Sequence, residues 1–156
     1  MVVSDTTAIT SLLKIGEVEL LRTLFKEVLI PQAVQVELLS YHAVLPTWLV
    51  AQTVSADEPL WNLLTPLDPG EAEAIALAKL NGADLLIIDE KRGRALAEQL
   101  GLRCIGLAGV LLVAMQHRLI DSLEKMLSRL ENRANFYLAA PVKRKLLAIA
   151  GETFDV

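Results

Sequence analysis

The chain has 156 residues, the size of one domain, and a domain of that size buries roughly 70% of its unfolded surface. Hydrophobic residues make up 53% and mean hydropathy is +0.44, yet the longest nearly unbroken apolar stretch, Cys104 to Met115, falls short of the roughly 20 residues of a membrane span. Net charge is −4 and the pI about 5.2, which argues against avid non-specific binding to nucleic acid but leaves room for a local basic patch beside an acidic site.

The apolar excess points to a large core or an apolar subunit interface, with no membrane partner. Cys104 is alone, so no internal disulfide forms, and it is expected in a buried strand. The start lacks the basic segment and cleavage site of a secretory signal, so a cytoplasmic location is expected.

In chain order, Val2 to Ser4 reads as a strand, closed by Asp5. A helix follows from about Thr6 to Lys14 and stops at Gly16, a residue suited to a helix C-terminus. Val18 to Phe25 reads as a second helix and Glu27 to Ile30 as a short strand. Pro31 suits the first position of the next helix, which runs to about Ser40. Tyr41 to Leu67 is the least regular stretch, with Pro46, Pro59, Pro66 and both tryptophans. Within it Trp48 to Val54 reads as an edge strand or clip and Leu60 to Leu64 as a short helix. Asp68-Pro69-Gly70-Glu71 opens a helix that lasts to about Asn81-Gly82. A strand (Asp84 to Ile88), a helix (Lys91 to Leu100) and a strand (Arg103 to Ile105) come next. Helices near Ala108 to Gln116, Asp121 to Glu131 and Val142 to Ala150 finish the chain. Strands alternating with helices argue for an α/β fold, a parallel sheet covered on both faces.

Four carboxylates stand out, Asp5, Glu37, Glu71 and Asp89, each where an apolar segment ends or packs. Asp5 and Asp89 close two apolar runs; if both runs are parallel strands, both aspartates face the crevice at the carboxyl ends, where open α/β sheets bind ligands. Two carboxylates about 4 Å apart repel by roughly 4 kcal/mol at an effective dielectric near 20, so such a cluster takes up protons, recruits basic partners or binds a hard divalent cation. Asp5 also reads as a helix N-cap. By the helical period Glu37 shares a side with Ala33, Val34 and Leu38, opposite Gln32 and Gln35, and a carboxylate buried there needs a cation or a basic partner. Glu71 doubles as the third helical position of a capping box opened by Asp68. Glu73 sits about 200° further round the helix, so one site is not expected to use both. Lys91, Arg92 and Arg94 form a basic group beside Asp89, able to contact flanking phosphates or simply to face solvent. Lys143, Arg144 and Lys145 read as a solvated helix face.

Four stretches in order carry a family resemblance: Val-Val-Ser-Asp-Thr-Thr at 2–7, Leu-Ile-Pro-Gln-Ala-Val-Gln-Val-Glu-Leu at 29–38, Asp-Pro-Gly-Glu-Ala-Glu-Ala-Ile-Ala-Leu-Ala at 68–78, and Asp-Leu-Leu-Ile-Ile-Asp-Glu-Lys-Arg-Gly-Arg at 84–94. Gly-Leu-Ala-Gly-Val-Leu at 106–111 adds to them. Together they resemble the PIN-domain family over almost the whole chain, in particular a stand-alone bacterial and archaeal branch related to the VapC-type toxins of toxin–antitoxin pairs. The resemblance implies one PIN-like domain over residues 1–156, a three-layer α/β/α fold with a central, mainly parallel sheet. The C-terminal helices, about 107–150, then complete the core or form a homodimer interface. It also places Asp5, Glu37, Glu71 and Asp89 on the family's four acidic positions, and Thr6 or Thr7 where a small hydroxyl helps hold metal or water. The third acidic position is often aspartate in the toxins; here it is Glu71, with Glu73 as a rival.

The activity implied is Mg²⁺- or Mn²⁺-dependent endoribonuclease cleavage of RNA, with a small antitoxin protein as a partner. Oxygen ligands suit those ions, and His42 and His117 lie outside the motifs, so no zinc set is present. Asp5 and Asp89 are the expected direct ligands, with Glu37 and Glu71 as ligands or as bases that orient the attacking water. Two other enzyme readings fit poorly. A haloacid-dehalogenase phosphatase wants a second aspartate where Thr7 stands, and a dinucleotide fold wants glycines that Thr6 to Leu12 lacks. The remaining alternative is a non-catalytic PIN-like module that binds a protein or RNA, in which arginines would tie up the carboxylates.

Overall fold

Residues 1–151 are described by the structure, a computed structural model; residues 152–156 of the expected domain lie outside them. Strand β1 (Val2–Ser4) leads into helix α1 (Thr6–Lys14), which buries Ala8, Ile9, Ser11 and Leu12 along one face. After the turn at Gly16, helix α2 (Glu19–Phe25) returns the chain to β2 (Val28–Pro31), buried along its whole length. Pro31 ends β2 and caps α3 (Gln32–Leu39) instead of opening it: its ψ of 164° keeps it extended, so the helix begins one residue later than expected.

The irregular middle holds β3 (Leu49–Gln52), parallel to β2, and α4 (Glu58–Leu64). The latter starts before Leu60 because the Asp57 carboxylate accepts the Leu60 N–H at 3.0 Å and Pro59 fits the first turn. Helix α5 (Pro69–Asn81) is capped by Asp68 and ended by Gly82 in the left-handed conformation. Then come β4 (Leu85–Ile87), α6 (Lys91–Gln99) with Glu90 as its cap, and the two-residue β5 (Cys104–Ile105). Cys104 is half-buried, not buried, because β5 is a sheet edge. Helices α7 (Leu107–Gln116), α8 (Leu123–Ala134) and α9 (Ala140–Ile149) follow.

The sheet is all parallel, in the order β3-β2-β1-β4-β5. Because side chains alternate along a strand, each strand feeds both faces. Val28, Ile30 and Ile87 join a core with α1, α2, α3, α7, α8 and α9, in which Leu111, Leu127 and Leu147 are buried. Val3, Leu29, Leu86 and Ile88 join a second core with α4, α5 and α6. The result is a three-layer α/β/α sandwich.

All carboxyl ends meet at one rim. Ser4 is in register with Ile87, and the Asp5 N–H donates to the Ile87 carbonyl at 3.0 Å, so Asp5 and Asp89 leave adjacent strands side by side.

Candidate active site

Asp5 is only 3% exposed and stands at the N-cap position of α1, yet its carboxylate caps nothing: no first-turn N–H bonds to it, and Oδ1 is buried without a partner. The contrast with Asp57, Asp68, Glu90 and Ser122 is informative, since each of those accepts an N–H of its own helix. Burial first, then the charges of Asp89 and Glu71, push the Asp5 carboxyl up to about 8. The Thr7 amide pulls the other way without reaching hydrogen-bond geometry.

Asp89 is held on one side only. Its Oδ1 accepts the Leu107 N–H at the start of α7 at 3.0 Å, while Oδ2 is buried and unpartnered. Burial raises its pKa; the Leu107 N–H and the Arg94 guanidinium oppose the rise. This carboxylate needs Gly106, because a Cβ there would stand 2.8 Å from Asp89 Oδ1. Arg94 reaches the Asp89 backbone, Nη2 donating to its carbonyl at 2.9 Å, and makes no ion pair with the carboxylate.

Glu71 lies at the start of α5, where Asp68 accepts its N–H at 2.8 Å. Burial, the Asp68 charge, a side-chain hydrogen bond to Asp68 and the charge of Glu90 raise Glu71 to about 7. Glu37 departs from expectation. It is exposed rather than buried beside Val34 and Leu38, yet its tip turns inward and Oε2 accepts the Thr6 hydroxyl at 2.8 Å. A short helix at the edge of a layer offers a rim position that belongs to neither its buried nor its solvent face.

Asp5, Thr6, Thr7, Glu37, Asp68 and Glu71 line one small cavity with almost wholly polar walls. Glu73 points elsewhere: its Oε1 accepts the Ala33 N–H at 3.4 Å, serving the first turn of α3. Asp89 borders this group from the next strand, close enough for its charge to act on Asp5. Lys91 and Arg92 are exposed at the start of α6, and Arg94 is half-buried. Asp68 and Glu90 lie outside the four expected site carboxylates. Each is a helix cap, and that role hides its second one of adding charge beside Glu71.

Among the described residues, none of Asp5, Glu37, Glu71 and Asp89 is within ion-pair distance of a basic group. No three of Asp, Glu, His or Cys, among the same residues, stand as a ready-made cage for a metal ion. Mg²⁺ does not require one, since it takes one or two carboxylates directly and keeps several waters. Two orphaned carboxylate oxygens on adjacent strand ends, with further carboxylates behind them, fit such an ion.

No helix among the described residues is long and apolar enough to cross a membrane. A family model described as a PIN domain matches residues 1–152. No curated protein and no solved structure matches the chain.

Proposed function

Since the chain belongs to the PIN-domain family, whose members are generally nucleases, we propose that it is a metal-dependent ribonuclease hydrolysing RNA phosphodiester bonds at the acidic rim. The observation that carries this reading is the unpaired state of the four carboxylates. A structural cluster would be tied to arginines, because a buried charge without a partner costs several kcal/mol. Here Asp5 Oδ1 and Asp89 Oδ2 are left buried and unsatisfied instead.

Asp5 and Asp89 would hold Mg²⁺ or Mn²⁺, with Glu71 and Glu37 bonding to its waters. The ion would supply charge neutralisation at the phosphate and a more acidic water. The chain's own groups supply the rest. Thr6 fixes the Glu37 carboxylate. Glu71, beside the charges of Asp68 and Glu90, is placed to accept a proton as a general base. Lys91 and Arg94 offer cations for flanking phosphates, where contacts position the substrate without reading its sequence.

The finer assignment, toxin of a toxin–antitoxin pair, rests on the likeness to VapC-type toxins. A homodimer or a small antitoxin finds its support in the exposed Val36, Leu39, Tyr41 and Val44 on and after α3. The alternative is a PIN-like module that binds RNA or protein without cutting, in which an Asp5 carboxyl pushed up to about 8 would stand protonated without an ion.

Incubating the protein with single-stranded and hairpin RNAs in Mn²⁺ or EDTA separates the two. Cutting that requires metal and disappears in both Asp5→Asn and Asp89→Asn is the expected result. No cutting, together with no Mn²⁺ binding by calorimetry, would leave the binding module.

A further inference from the structure

Asp89 also lines a second cavity, of about 340 Å³, which the cleavage chemistry does not use. Its polar wall is Asp89 and Arg94. Its apolar wall is Ile105 from β5 with Leu138, Val142 and Leu146 from α9 and the segment before it. Arg94 is under-employed there. Its guanidinium makes one hydrogen bond among the described residues, to the Asp89 carbonyl at 2.9 Å, and Nε is buried with no partner.

Beside this cavity, Lys91, Arg94 and Val142 line a neighbouring cavity of about 490 Å³. Val142 therefore joins two basic groups that are far apart in sequence, Lys91 to Arg94 on α6 and Lys143 to Lys145 on α9. These basic groups flank a half-apolar pocket that shares one wall residue with the acidic centre, with Glu98 also lining the neighbouring cavity and Lys143 paired with Glu131 at 3.3 Å.

Such a pocket does not suit a bare phosphate, which has no use for the Leu138, Val142 and Leu146 wall. An apolar peptide would leave Arg94 and Asp89 desolvated against it. A nucleobase offers an apolar face for the wall and acceptor atoms on its edge for the guanidinium. An acidic centre repels the polyanion it would cut, so affinity must come from contacts away from it, such as a base face packed on the apolar wall.

We propose that this cavity is a nucleobase subsite. The base next to the scissile phosphate lies against Leu138, Val142 and Leu146 with its edge at Arg94. Asp89, common to the pocket and the rim, sets the spacing between bound base and phosphate. The word scissile rests on the nuclease reading; the base pocket is testable without cleavage.

The probe is a short single-stranded RNA carrying one photoreactive thiouridine, irradiated with the Asp5→Asn protein and mapped by mass spectrometry. The label is expected on the segment from Leu138 to Leu146. Val142 is 48% exposed, so Val142→Trp fills the pocket without opening a core, and should abolish the label and weaken RNA binding about tenfold. Val142→Ala, which enlarges the pocket, should keep the label. Mn²⁺ binding to otherwise wild-type protein should be the same with either side chain. No label, a label elsewhere, or one that survives Val142→Trp would overturn the subsite, whether or not the protein cuts RNA. A label on α9 in a protein whose wild type cuts nothing would keep the subsite and remove the nuclease reading, and cutting without that label would do the reverse.

Discussion

With its carboxyl at about 8, Asp5 keeps its proton at pH 7 in the metal-free protein, whereas the unfolded chain releases it near 3.8. Between those values the folded state holds the extra proton, so the Asp5 contribution is fully present below about pH 4 and is lost as pH rises toward 8. Each pH unit across that interval removes about 1.4 kcal/mol, and the whole loss amounts to several. Asp5→Asn removes the charge without the carboxylate's need for solvent. In EDTA, the variant should gain stability over wild type as pH rises from 5 to 8, read from urea unfolding; a constant gap would mean that the carboxylate ionises there at no cost. Added Mn²⁺ should reverse the order by stabilising wild type alone. Because the ion displaces protons, its binding at pH 7 should release roughly one or more, from Asp5 at about 8 and Glu71 at about 7. Calorimetry in buffers of different ionisation enthalpy counts them.

Short junctions between elements aim these side chains. Gly106 links β5 to α7 with an ordinary extended backbone, so its value is the missing Cβ. Gly106→Ala should swing Asp89 away, loosening the Leu107 N–H contact and lowering Mn²⁺ affinity by roughly tenfold to a hundredfold, as loss of a ligand's support does, with helix content intact by circular dichroism. At the start of α5, Asp68→Ser keeps a side-chain oxygen for the Glu71 N–H but removes a charge. Helix stability should change by only a few tenths of a kcal/mol, while the Glu71 carboxyl, followed by NMR, should titrate lower. The same junctions mark what the sequence discloses. Asp5 and Asp89 are legible because each follows a short apolar run that can only be a buried strand, and parallel strands share one functional end. Asp68 is hidden because capping explains it fully. Glu37 reaches the rim for a reason that periodicity misses: only the arrival of α1 beside α3, carrying Thr6, defines an inward direction for an exposed side chain. The onset of α4, two residues early, and the extended Pro31, which delays α3 by one, are contests between proline and the neighbouring cap or strand, which composition does not decide.

The molecule keeps two cores apart with one sheet, and every strand is shared between them. Leu12 on α1 and Leu77 on α5 are buried on opposite faces. Leu12→Ala and Leu77→Ala should each cost about 2–5 kcal/mol. Each should still unfold in a single transition, since neither face has a sheet of its own; two transitions in calorimetry would show separable halves. Alternation of strand and helix makes this architecture legible, whereas the strand order is not, since it depends on which helices cross which face. That order has a bearing on biosynthesis. Asp5 leaves the ribosome well before its neighbour β4, some eighty residues on, and the Leu107 amide that steadies Asp89, some hundred residues on. A nascent chain therefore carries half a centre until the start of α7 has been made. Any activity that needs both aspartates stays dormant until then, a delay built into the order of synthesis.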